Sequence, residues 1–165
     1  MDNLDERISK AVKHFWLTRT RQTRSQGERT GRQVSGNRTA STGGKQLDGF
    51  NNLLRDLLLE AGIPQNIIHT NGRENVTLPG FFRPTKQWDL VVVFDGNLLA
   101  SIECKALCGP SFGNNFNNRV EEALGSSTDF WTAYREGVLD QSLKPFLGYV
   151  LILEDAAGST KPVNV

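Results

Sequence analysis

Apolar and polar positions follow two different periods along this chain. Between residues 4 and 17, Leu4, Ile8, Ala11, Val12 and Phe15 recur at helical spacing and predict a helix with one apolar stripe. From Thr18 to Gly44 apolar residues nearly vanish, and Arg, Gly, Ser, Thr and Gln predict a long loop or arm. Helical spacing returns from Leu47 to Ala61, with Leu47, Phe50, Leu54, Leu57 and Leu58 on one face and Gly62 as the stop. Ile67-Ile68-His69 and Val76-Thr77-Leu78 read as two short strands around a turn at Asn71-Gly72. Two compact apolar runs follow, Leu90–Phe94 and Leu98–Ile102, separated by the hairpin-turn residues Asp95-Gly96-Asn97. A Gly- and Asn-rich loop leads to a helix from about Asn117 to Glu136, with Val120, Ala123, Leu124, Phe130, Trp131 and Tyr134 as its core side. The last element, Phe146 to Leu153, is a continuous apolar run, which predicts a strand covered on both faces.

The charged positions around the hairpin change this from a fold to a candidate site. Asp89 opens the first run, and Glu103 and Lys105 close the second. Strand side chains alternate, so Glu103 and Lys105 share a face and Cys104 points the other way. A three-residue loop puts Asp89 opposite Glu103 on that face; a two-residue loop separates them unless a bulge restores the register. Two carboxylates beside a lysine form a site for a hard cation such as Mg2+, which activates water against a phosphodiester. The plainer reading is a core hairpin whose strand ends carry charge.

At 165 residues the chain is long enough for one domain with a substantial core. The net charge is only +1, but residues 10–45 carry nine Lys/Arg against one acid, Glu28, so that segment is +8 and the remainder −7. Arg19, Arg21, Arg24, Arg29, Arg32, Arg38 and Lys45 therefore form a basic arm suited to a polyanion, or simply a solvated one. There is no apolar run of membrane-spanning length and no signal-peptide layout, so a cytoplasmic protein with reduced thiols and no membrane contact is expected. Cys104 and Cys108 lack two further zinc ligands nearby, which leaves a buried Cys104 and an inert Cys108.

Ser41-Thr42-Gly43-Gly44-Lys45-Gln46 looks like a P-loop but has Thr39 in place of the first Gly and Gln46 in place of Ser/Thr, which excludes it. The amides of Gly43 and Gly44 remain able to hold a phosphate at the following helix. Asp48 has either a helix-dipole role or that of a supporting acid. Arg83 and Lys86 face phosphate or are plain surface charges. Asn114, Asn115, Asn117, Asn118 and Arg119 crowd one stretch, where they suit base-edge readout, although Asn also fills turns.

The acids resemble the PD-(D/E)XK nuclease motif, with Trp88 where the name has proline. The element order from residue 47 is similar to that superfamily's αβββαβ core, which implies an α/β fold of restriction-endonuclease-like type, a central mixed β-sheet flanked by helices. The blocks TGGKQLDGF, FFRPTKQWDLVV, IECKA, GPSFGNNFNNRVEEALGSSTDFWTAYREG and GYVLILEDA resemble the XhoI family of type II restriction endonucleases over nearly the whole chain. The resemblance implies a single endonuclease domain over residues 1–165 with a basic arm at about 18–45. It implies Mg2+-dependent cleavage of double-stranded DNA at a CTCGAG-type palindrome by a homodimer, with a matching DNA methyltransferase as companion. Asp89, Glu103 and the Cys104 backbone carbonyl would bind metal, and Lys105 would orient or deprotonate water or stabilise the phosphate. Members of the family are longer, so a C-terminal portion beyond Val165 is expected to be missing, which bears on dimerisation, stability and activity. A DNA-binding module without cleavage, and a repair-type nuclease of the same core, are the alternatives.

Overall fold

The computed structural model describes residues 3–30, 44–70, 75–110, 112–139 and 143–162, without the side chains of 25–30. Residues 1–57 and 58–165 form two compact units.

In the first unit, α1 (Leu4–Thr30) starts with Asp5 and Glu6 in its first turn, where acids suit the helix dipole. It buries Ala11 and Phe15, two members of the predicted stripe. It does not stop at residue 17. Thr20 and Thr23 hydroxyls donate to the carbonyls of Trp16 and Arg19, one turn back, as polar side chains inside a helix do. The basic stretch from Thr18 to Thr30 is therefore helical rather than a loop, because a solvent-exposed helix needs no apolar residues to continue. A 3-10 turn, Gly44–Leu47, leads into α2 (Asp48–Glu60). The Lys45 carbonyl lies 3.1 Å from His14 Nε2. Gly49 passes so close to α1 that a Cβ would stand 3.2 Å from the Ala11 Cα. α2 ends as expected at Gly62, whose φ of +88° belongs to a left-handed cap, with Ile63 N–H closing on the Leu58 carbonyl at 3.0 Å.

The second unit is built on a mixed four-stranded sheet. β1 (Ile68–Thr70), β4 (Leu90–Phe94), β5 (Asn97–Leu107) and β6 (Phe146–Leu153) lie in the order β1-β4-β5-β6, with β6 parallel to β5 and the other pairs antiparallel. β2 (Thr77–Pro79) and β3 (Thr85–Gln87) form a separate two-stranded ribbon. The two strands expected around Asn71-Gly72 thus pair in different sheets, and residues 71–74 lie outside the described residues. α3 (Phe112–Arg135) is the helix before β6. The αβββαβ order and the central mixed sheet agree with a restriction-endonuclease-like core. No described helix is long and apolar enough to cross a membrane.

The core gathers Val76, Trp88, Val91, Leu98 and Phe130, with the Trp88 and Phe130 rings edge to face at 5.6 Å. α3 starts at Phe112, not near Asn117, and its buried residues are Ser126, Asp129, Phe130 and Ala133. Val120 and Leu124, expected in the core, are exposed at 40% and 63%. β6 is an edge strand among the described residues, with Phe146 and Leu153 exposed, so its apolar run reflects parallel pairing with β5 and not cover on both faces.

Leu90, on β4 beside Val91, is fully buried. Replacing Leu90 by Ala is expected to cost about 2–5 kcal/mol. Urea unfolding would read this as a lower midpoint at unchanged slope; a loss under about 1 kcal/mol would contradict the placement of β4 in the core.

Candidate active site

The register of the β4–β5 hairpin decides which side chains meet. Asp95 and Gly96 both have positive φ, +49° and +74°, so the loop is the two-residue turn typical of Asp-Gly, and Asn97 already pairs with Phe94. Taken alone, that turn would put Asp89 and Glu103 on opposite faces. A β-bulge intervenes: Val93 pairs with Leu98 but Val92 with Ala100, which leaves Leu99 as the extra residue. Beyond it Leu90 pairs with Ile102, and the Asp89 N–H donates to the Ile102 carbonyl at 3.1 Å, so Asp89 comes opposite Glu103.

Asp89 is half-buried. Its Oδ2 accepts the Cys104 N–H at 2.7 Å. Burial pushes its carboxyl above the usual value; the Cys104 amide opposes this and the neighbouring Glu103 charge adds to it. Glu103 is more deeply buried, its side chain 4% exposed, and carries two ammonium groups. Lys105 Nζ pairs with Oε1, and Lys86 Nζ lies 2.7 Å from Oε2. Oε2 accepts no hydrogen bond among the described residues, so Lys86 meets it as a charge contact without hydrogen-bond geometry. Cys104 points into the interior, and burial raises its thiol to about 12; Cys108 is buried too. With its thiol held that high, Cys104 is not a nucleophile at neutral pH.

Glu103, Lys105 and Lys86 open into a cleft of about 340 Å³. Arg83 lies on one wall, Tyr149 on β6 on another, and Glu121, Glu122 and Ser126 of α3 on a third. Tyr149 pairs in register with Glu103, and its hydroxyl donates to the Arg119 carbonyl at 3.3 Å. Burial first, then Glu122, pushes its phenol to about 12, so it serves as a fixed donor and not as a base. Asp89 is not among the cleft walls; it adjoins them through the Cys104 amide.

The donor set suits a hard divalent cation. Two carboxylates face each other across β4 and β5, and one of their oxygens is buried without a hydrogen bond. No group of three or more ligating His, Cys, Asp or Glu exists among the described residues. Two protein carboxylates, with the remaining positions left to backbone, water and phosphate, is the pattern that Mg2+ accepts.

The remaining sequence-derived residues are spread more widely. Asn114, Asn117 and Asn118 are exposed and Asn115 and Arg119 half-buried, all on the first turns of α3 rather than in a loop. Arg119 pairs with Glu122. Phe112 holds this helix start in place: a Cβ on Gly109 or Gly158 would come within 2.9 or 2.8 Å of its ring. Arg19, Arg21 and Arg24 stand on α1, Lys45 in the 3-10 turn and Asp48 in the first turn of α2, all in the first unit. The side chain of Arg29, and Arg32, Arg38 and Gly43, lie outside the described residues. Sequence reasoning missed the Lys86–Glu103 pair, Tyr149 and the α3 acids. Tyr149 carries the one hydroxyl in an apolar strand, but only the β5–β6 register sets it beside Glu103.

Residues 26–165 match the model described as restriction endonuclease XhoI. The chain belongs to the XhoI restriction endonuclease family. It is 52% identical over 136 residues to the type II restriction enzyme BstVI of Geobacillus stearothermophilus, covering 79% of this chain and 60% of that protein. It is 44% identical over 157 residues to AbrI of Azospirillum brasilense, covering 95% and 69%, and 44% over 154 residues to XhoI of Xanthomonas vasicola, covering 93% and 60%. The chain thus spans 60–69% of the length of these members of the XhoI family. No solved structure matches it.

The raised Asp89 carboxyl has a consequence for stability. A group whose folded pKa is raised stabilises the fold fully below its unfolded value, here near 3.8, and that contribution is lost as pH rises through the folded value. Asp89→Asn retains an acceptor for the Cys104 amide. It should therefore melt at a higher temperature than the native chain at neutral pH, with the difference vanishing in acid. Thermal unfolding at both pH values checks this; equal melting at neutral pH would contradict it.

Proposed function

We infer that the chain is the catalytic part of a type II site-specific endonuclease that hydrolyses double-stranded DNA at a CTCGAG-type palindrome. Membership of the XhoI family carries this reading. The bulge-corrected register, which brings Asp89 opposite Glu103 beside a cleft lined by Glu103 and Lys105, supports it with geometry. Asp89, Glu103 and the Cys104 carbonyl would hold Mg2+, which supplies a Lewis acid that acidifies water and offsets charge on the phosphate.

The side chains provide the rest. Lys105, bonded to Glu103 and partly exposed, orients the attacking water or meets the developing negative charge. Tyr149 ties α3 to β6, the strand beside Glu103 and Lys105, through the Arg119 carbonyl. The exposed Asn114, Asn117 and Asn118, with Asn115 and Arg119, suit base-edge readout from the start of α3. Arg19, Arg21 and Arg24 give α1 a basic, salt-sensitive surface for phosphates, with Arg29, Arg32, Arg38 and Lys45 continuing it in the sequence. Asp48 would be a supporting acid at most. A palindromic site is read most simply by a homodimer. A matching methyltransferase protects host DNA, and the DNA substrate implies the cytoplasm.

Plasmid DNA with one CTCGAG site, incubated with the protein and Mg2+, is expected to give a single linear product that EDTA abolishes and a site-free plasmid lacks. Salt-sensitive binding without cutting would reduce the chain to a DNA-binding fragment, and a ladder of products would favour a structure-specific nuclease. Lys105→Ala should lower cleavage by about 10²–10⁴-fold and leave DNA binding intact. Unchanged cleavage would remove Lys105 from the mechanism.

A further inference from the structure

Two lysines converge on the single carboxylate of Glu103, and they arrive differently. Lys105 lies two residues along the same strand and pairs with Oε1. Lys86 comes from the middle of β3, in the separate ribbon, and stands against Oε2 at 2.7 Å. Its side chain is only 13% exposed. Its ammonium also lies 4.6 Å from the centroid of the buried Trp88 ring, so an aromatic face and a carboxylate hold it together. Oε2 is buried and accepts no hydrogen bond among the described residues, so it has capacity to spare for a ligand. Asp89 and Glu103 stand together as two acids, and the charges of Lys105 and Lys86 both bear on them. Holding the Lys86 ammonium in so closed a site has a desolvation cost, and a divalent cation at the same oxygen would supply the positive charge in its place.

We propose that Lys86 is a built-in counter-ion that occupies the cation-facing oxygen of Glu103 in the DNA-free protein, and that a divalent cation must displace its ammonium to bind there. This rests on the reading of Asp89 and Glu103 as cation ligands. An ammonium and a metal ion compete for the same oxygen and repel each other at close range. Once displaced, the ammonium remains on the wall of the cleft beside Arg83, where a DNA phosphate offers it a new partner. The metal and DNA then favour each other's binding, because each relieves the charge that the other leaves behind. Lys86 is in this scheme a positioning residue acting through Glu103.

The test measures Mg2+ binding to the full chain without DNA by titration calorimetry. Lys86→Gln is expected to bind Mg2+ about tenfold more tightly than the native chain. Lys86→Arg, which keeps the charge, should stay near the native affinity, and Glu103→Gln added to K86Q should remove the gain. A folded K86Q that binds no more tightly overturns the proposal.

A second measurement needs no variant. Acetylation of the native protein, read by mass spectrometry, should show Lys86 becoming several-fold more reactive at saturating Mg2+ while the exposed Lys10 does not change. Unchanged or lower Lys86 reactivity overturns the proposal even if K86Q fails to fold. Native Mg2+ binding that depends on Glu103 but is indifferent to Lys86 removes this inference alone. Absence of Glu103-dependent binding in the native chain and in K86Q removes the cation site with it.

Discussion

One extra residue in a strand decides which acidic and basic side chains share a face of the sheet. The Asp-Gly turn closes the β4–β5 hairpin with two residues, a parity that would leave Asp89 on the wrong face of the sheet. Leu99 restores it by bulging out of the pairing between Val92 and Val93. From that point Asp89, Glu103 and Lys105 project together, and Cys104 turns into the interior, where it is almost fully buried. The parallel pairing of β5 with β6 carries the same register onward, so Tyr149 stands beside Glu103. Bulges next to active sites re-aim side chains in this way.

Two buried carboxylates in the second unit show how differently the same group is used. Asp129, 3% exposed, accepts the Phe81 and Phe82 amides at 3.0 and 2.7 Å and pairs with Arg83 at 3.2 Å. It is satisfied, and it clamps the loop before β3 so tightly that a Cβ on Gly80 would meet its Oδ2 at 2.5 Å. Glu103 is as deeply buried, yet one oxygen has only a charge beside it. An unmet acceptor in a low-dielectric site is expensive for a purely structural role and natural where a ligand completes it. Asp89 adds to this contrast, since burial disfavours its charged form. The fold thus gives up stability at the site and recovers it in the apolar core around Trp88 and Phe130.

α3 links that core to the cleft and to the surface. Its C-terminal half buries Phe130 and Ala133, its middle contributes Glu122 and Ser126 to the cleft, and its first turns present the asparagines. Asn in a loop samples many orientations; Asn on a helix held by Phe112 between Gly109 and Gly158 has a fixed direction.

The sequence by itself determined the element order, the hairpin, the capping glycine at 62, and the acid–acid–lysine motif, because each depends on local periodicity or turn chemistry. It also determined the family, through blocks spread across the chain. It left the parity of the hairpin open between two loop lengths, because a bulge has no distinctive residue at Leu99. Helix ends were misjudged where composition and conformation part: the basic run after Thr18 continues α1, and the Asn-rich run belongs to α3. Only the tertiary structure decided that Val120 and Leu124 face outward, that β6 lies at an edge, and that Lys86 and Tyr149 reach Glu103. Those facts depend on contacts between residues far apart in the chain, and neither spacing nor propensity encodes which strand will lie beside which.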